Sequence, residues 1–279
     1  MLRFRNILPV ALVVAFAGAI VVYPQSTRPQ FEVATVKPAA PNSLGQLGRA
    51  PGGRLTATNV PLALLIQNAY RVRSFQVLGG PSWMATDRWD IEARPEEGSV
   101  TPPGPQDPNV PDLFSLRLQS LLEDRFKLQI HRETRELPVF ELTVAKGGLR
   151  AKLADDQTPF RAGDQRGGIS LMIGGGELRA TAVPFPNFVA ALSGVVARTV
   201  VDKTDLKGLY DITLKWMPDV GQVVSPPGPL PTGVQFLSPD PSAPSLVTAL
   251  QEQLGLKLES SKGPVEVLVI DHVERPREN

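Results

Sequence analysis

One phrase is written twice in this chain. "LTATNVPLALL" (55–65) returns as "LRATAVPFPNF" (178–188), 123 positions later. Around each copy the same sequence of signals unfolds. "RLTATNV" (54–60) and "GGELRATAV" alternate as short strands. Pro61 and Pro184 then suit helix starts, where a missing N–H costs nothing. "PLALLIQNAY" carries Leu62, Leu65, Ile66 and Ala69 at helical spacing, and "PFPNFVAALSGVV" occupies the same place in the second half. "FQVLGGP" and "RWDIEAR" (88–94) are strands in the first half, matched by "RTVVDKTDLKG" and "LYDITLKW" (209–216) in the second.

A Pro-rich tract follows in each half (95–111 and 217–244), and both contain Pro-Pro-Gly-Pro. Such tracts can continue neither a helix nor a central strand. "DLFSLRLQSLLEDRF" (112–126), with Asp112 as N-cap, and "PSLVTALQEQLG", with Gly255 as its C-cap signal, are the second helices. Each half then closes on alternating strands: "KLQIHRETREL" with "PVFELTVAK", and "LKLESSKGPVEVLVIDHVE" with a turn at Lys262-Gly263. Both closings are expected to be local hairpins. The offset between matching elements stays between about 121 and 130, which a chance echo would not hold over seven elements.

The expected fold class is therefore α+β: an internal duplication of a β-α-β-β-(Pro-rich linker)-α-β-β unit, with helices packed on small mixed sheets. The expected organisation is an N-terminal segment (1–23), a strand and loop (24–53), a first repeat (54–149), a linker (150–172) and a second repeat (173–279). In the strand "FEVATVK" (31–37), Phe31, Val33 and Thr35 fall on one face, and residues 38–53 read as a loop.

Composition narrows location and partners. Arg3 and Arg5 precede "ILPVALVVAFAGAIVVY" (7–23), an uncharged run with small-x-small cleavage patterns. This is an export signal, either cleaved or kept as an inner-membrane anchor of just sufficient length. The mature chain is expected to be extracytoplasmic, periplasmic or secreted, touching membrane only through 7–23. Twenty-nine basic residues balance 28 acidic ones, which leaves no footprint for nucleic acid. There is no cysteine, which excludes disulfides, thiol catalysis and zinc-thiolate sites. No cofactor and no metal site are expected.

Candidate chemistry is sparse. Of the two histidines, His131 lies out of phase with buried Leu128 and Ile130, and His272 sits near the end of the last strand at a non-equivalent place. Two solvated strand histidines are the reading. Ser82 follows a Gly-Gly-Pro turn but lacks a nucleophile elbow. "IGGGE" (173–177) lacks the ending of a phosphate loop, and "DKTDLKG" (202–208) is a solvated turn whose lysines would repel a cation. Trp83 and Trp89 flank "MATD" as a lid on the core. The charged run "HRETRE" gives His131, Arg132, Glu133, Arg135 and Glu136. It should lie at a sheet edge, where such charge blocks aggregation or receives a protein partner of the cell envelope.

Two resemblances add to this. "VPLALLIQNAY" and "LVTALQEQLGLKLE" resemble the short periplasmic module at the N-termini of secretins and TonB-dependent receptors. "FEVATVKP", "GGPSWMATDRWDIEA", "LLEDRFKLQIHRETRELPVFELTVAKGG" and "VVDKTDLKGLYDITLKW" resemble a Solibacter-type exported family of unknown function expanded in soil Acidobacteria. Members are in some cases fused to a BlaR/MecR-type membrane metallopeptidase. The resemblance carries no catalytic residues, and this chain has no HExxH. The duplication, the secretin-like pattern and the lack of a catalytic constellation in the sequence point to a non-enzymatic extracytoplasmic binding or adaptor module. The alternatives are an exported enzyme with acid residues between its lobes, or a sensor domain serving such a peptidase.

Overall fold

The computed structural model describes residues 28–40, 45–99, 112–158, 167–172, 176–218 and 240–276. In the first half run β1 (Val33–Pro38), β2 (Gln46–Ala50), β3 (Arg54–Pro61), α1 (Leu62–Tyr70), β4 (Val77–Gly79), α2 (Trp83–Thr86), β5 (Arg88–Arg94), α3 (Leu113–Arg125) and β6 (Gln129–Val144). The second half has β7 (Lys152–Leu153), β8 (Ile169–Met172), β9 (Glu177–Pro184), α4 (Phe185–Val195), β10 (Val200–Asp202), β11 (Leu209–Lys215), α5 (Leu246–Ala249) and β12 (Leu256–His272). A π-helical turn, Leu250–Leu254, extends α5. The chain is α+β. Among the described residues no helix is long and apolar enough to cross a membrane; residues 7–23 lie outside them.

Among the described residues, three four-stranded sheets carry the architecture. The two outer ones have the orders β1-β5-β3-β2 and β7-β11-β9-β8, the same arrangement read in chain order within each half. The central sheet is β10-β6-β12-β4. Its two middle strands pair antiparallel from Val144↔Leu256 to Gln129↔His272. The short outer strands pair parallel at opposite ends, β10 against Phe140–Leu142 and β4 against Leu268–Ile270.

The two expected local hairpins do not form. β6 passes straight through Pro138, and β12 passes straight through Lys262-Gly263 without a turn. The prolines permit this. Phe140 N–H points away from β12, donating to Thr199 O at 2.8 Å, so by the two-residue period the Pro138 nitrogen also faces outward. Glu266 O likewise faces outward, to Gln76 Nε2, which turns the Pro264 nitrogen away from β6. Neither proline removes a hydrogen bond from the ladder. Long pairing also satisfies more backbone groups than two separate hairpins would.

This crossing makes the two lobes share strands. The first core joins Leu55, Ile91, Leu65, Ile66, Leu122 and Phe126 to Leu268 and Ile270 from β12. The second joins Leu178, Phe185, Phe188, Leu192 and Leu214 to Leu142 from β6. Each lobe is completed by a strand from the other half of the sequence.

Local rules explain most elements. Leu62, Leu65, Ile66 and Ala69 are buried, as their spacing requires. Asp112 caps α3, accepting from Ser115 N–H at 2.7 Å. Gly255 takes the left-handed conformation (φ 66) that ends the π-turn. Two expectations fail. Residues 46–50, expected as loop, form β2, because pairing with β3 supplies the hydrogen bonds that local propensity does not. In β1 the buried side chain is Val36, while Val33 is 51% exposed, so the inward phase of the strand is the opposite of the expected one. Phe31 still reaches the core, edge-on to Phe114 with ring centroids 6.3 Å apart.

Candidate functional site

The charged run lies on β6, which is an inner strand flanked by β12 and β10. It is an edge only in part. β10 covers Phe140–Leu142, and among the described residues no strand neighbours the outer side of β6 along residues 130–138. There the backbone groups of the even-numbered residues point outward, and Arg132, Thr134, Glu136 and Pro138 are exposed.

Strand geometry divides the five candidate residues between two faces. His131, Glu133 and Arg135 share one face, with Val139, Val265 and Val267. His131 Nδ1 lies 2.8 Å from Asp271 Oδ1 across the strands, and Arg135 Nε donates to Glu133. Arg132 and Glu136 project from the other face. Arg132 pairs with Glu266 and also donates to Tyr70 O at 3.2 Å, tying β6 to the C-terminal end of α1. Burial, reinforced by the Glu123 carboxylate, pushes the Tyr70 phenol up to about 12. At neutral pH that hydroxyl stays protonated.

The remaining candidates stay apart. His272 Nε2 contacts Glu274 Oε1 at 2.8 Å. Ser82 only leads into α2 and caps nothing. In the "DKTDLKG" turn, Asp202 Oδ1 accepts from Thr204 N–H at 2.9 Å and from its hydroxyl at 2.7 Å. Residues 173–175 of "IGGGE" lie outside the described residues. Trp89 is buried edge-on to Phe126 at 5.5 Å, and Trp83 is covered by the Arg275 guanidinium at 5.0 Å. Among the described residues no three acidic or histidine side chains cluster as metal ligands.

Two concave features complete the picture. A groove of about 570 Å³ separates α1 from α4, lined by Gln67, Asn68, Arg71, Arg73, Gln76 and Ser193 among others. Arg73 bridges it, donating to Ala190 O at 3.1 Å. Among the described residues lining this groove there is no carboxylate. A second cleft, of about 590 Å³, opens between the N-terminal end of α3, the start of β1 and residues 96–99. Its lining includes Arg117, which is only 5% exposed. The sequence carries a signal for this residue that is easy to pass over: Arg117 stands four positions before Leu121 and so falls on the buried stripe of α3.

The fold and these surfaces define a two-lobed α+β protein with an interrupted central sheet edge. Residues 63–273 match the model of a family described as a protein of unknown function, DUF3738, and the chain belongs to that family. No curated protein matches the chain, and no solved structure does.

Proposed function

We propose that this protein is a non-enzymatic extracytoplasmic binding module that takes an extended segment of a cell-envelope protein onto the open edge of β6. The observation that carries the reading is the stagger of the central sheet. Among the described residues the outer strands shield Phe140–Leu142 of β6 and Leu268–Ile270 of β12, which leaves a run of exposed residues with outward-pointing backbone groups on β6. Unpaired strand edges recruit extended peptides through main-chain hydrogen bonds. Glu136 and the Arg132–Glu266 pair flank that edge and would select the partner's charge pattern. The uncharged N-terminal run 7–23 supports delivery outside the cytoplasm, either released or anchored. The matching strand orders of the outer sheets support descent of the two halves from one duplicated unit.

A photo-crosslinking residue at Glu136, in the native host, tests the edge. A discrete adduct should form and should disappear when Thr134→Pro removes an outward N–H. An adduct that survives Thr134→Pro in a protein of unchanged circular dichroism would defeat the docking reading. Location is tested separately by intact mass. The expected species is either a chain cut after residues 17–19 or a full-length chain in the membrane fraction. Full-length protein in the soluble cytoplasm would overturn export.

A further inference from the structure

Arg117 is the most anomalous side chain among the described residues. It is 95% buried (5% exposed), yet among the described residues no carboxylate is within ion-pair distance of it. Its Nη2 donates to Ser99 O at 2.8 Å and to Ser99 Oγ at 2.7 Å, and its Nε has no partner. A buried cation without a counter-charge is strongly disfavoured, and arginine does not escape by losing its proton. A guanidinium placed this way suits a planar anion, which it grips with two parallel N–H donors.

The surroundings refine the ligand. The same cleft is lined by two acidic residues, Glu32 and Glu96, by Phe31, and by Arg28, whose guanidinium is already paired with Glu123 at 2.7 Å. Neither carboxylate is ion-paired with Arg117. With Arg28 neutralised by Glu123, the cleft offers one buried positive group, two acidic residues and an apolar wall. Its volume of about 590 Å³ suits a small molecule. A simple anion would be repelled by the two glutamates, whereas a ligand with both charges would satisfy every group.

We propose that this cleft binds a small zwitterionic amino carboxylate, with its carboxylate on Arg117, its ammonium between Glu32 and Glu96, and its hydrocarbon portion against Phe31. This site is separate from the β6 edge and does not depend on docking there. Among the described residues Ser99 is the hydrogen-bond partner of Arg117 and its Nε has none, so the ligand carboxylate supplies a further acceptor.

The test uses the full-length protein with glycine, L-alanine and D-alanine as probes, and with acetate, inorganic phosphate and methylammonium as controls. Thermal unfolding and calorimetry are the readouts. An amino acid should raise the melting temperature with the logarithm of its concentration. Acetate and phosphate should bind at least roughly tenfold more weakly, and methylammonium should not bind. Arg117→Met should abolish the amino-acid shift while leaving the ligand-free melting temperature equal or higher, because it removes an unpaired buried charge. Glu32→Gln with Glu96→Gln should invert the preference in favour of acetate.

Binding of acetate or phosphate as tightly as the amino acids would overturn the zwitterion assignment. No shift with any probe, or full affinity in Arg117→Met, would overturn the site. If Arg117→Met does not fold, Arg117→Lys keeps the charge but loses the fork. Unchanged amino-acid affinity in that variant would equally overturn it.

Discussion

The Asp90 carboxylate accepts the backbone N–H of Asn59 at 2.8 Å, where β3 bulges away from β5 and Asn59 adopts φ 53. The second half contains the same device. Asp211 accepts the N–H of Ala182 at 2.8 Å, at a bulge in the β9–β11 pairing where Ala182 has φ 49. A bulge leaves an N–H outside the ladder, and the aspartate of "WDI" or "YDI" satisfies it.

Asp90→Ala and Asp211→Ala should each destabilise the fold by about 1–3 kcal/mol, the effect of stranding a partly buried donor. Urea unfolding measures this. The two losses should add in the double variant, since the bulges belong to different cores. Losses below about 0.5 kcal/mol would mean that water replaces the carboxylates.

Gly255 is bound by two constraints at once. It has φ 66, and a Cβ there would meet Gly148 O at 2.0 Å. Gly52 has φ 77 but open space around it. Gly255→Ala should therefore lower stability by more than about 3 kcal/mol or prevent folding, while Gly52→Ala should cost about 1 kcal/mol. Thermal melts of the two variants side by side check the contrast. Lys127 holds the corresponding place after α3 with φ 51, so Lys127→Gly should be tolerated.

Asp112 links α3 to pH. Partial burial alone would raise its pKa, but the Arg49 guanidinium and the Ser115 N–H and hydroxyl outweigh that and hold it below the ordinary value. A depressed carboxylate pKa adds stability above the unfolded-state value of about 3.9, and that stability is lost as pH falls through the folded value. At pH 7 Asp112→Ala should cost about 0.5–2 kcal/mol. Below pH 4 the wild type and the variant should converge. Urea midpoints measured from pH 7 down to pH 3 test this, and a constant gap would show that the charge is irrelevant.

What the sequence determined by itself is local. The apolar spacing in "PLALLIQNAY", the Asp112 cap, the Gly255 stop and the repeated strand signals follow from the chain's own covalent geometry and nearest neighbours, and the structure displays them. What only the tertiary structure decided is partnership. Pro138 and Lys262-Gly263 look like turn signals in isolation. They become strand interior because each strand meets the other across more than a hundred residues and turns its proline nitrogen toward an unpaired side. The same long-range pairing made β2 a strand, left β6 without a described neighbouring strand along 130–138 and divided the charged run between two faces. Arg117 lies on a stripe legible in α3, but that its Nε finds no partner among the described residues depends on which loops and strands surround it. Local periodicity is set by a few bonds, whereas a strand's partner, and hence its free edge, depends on which distant segment buries the most surface against it.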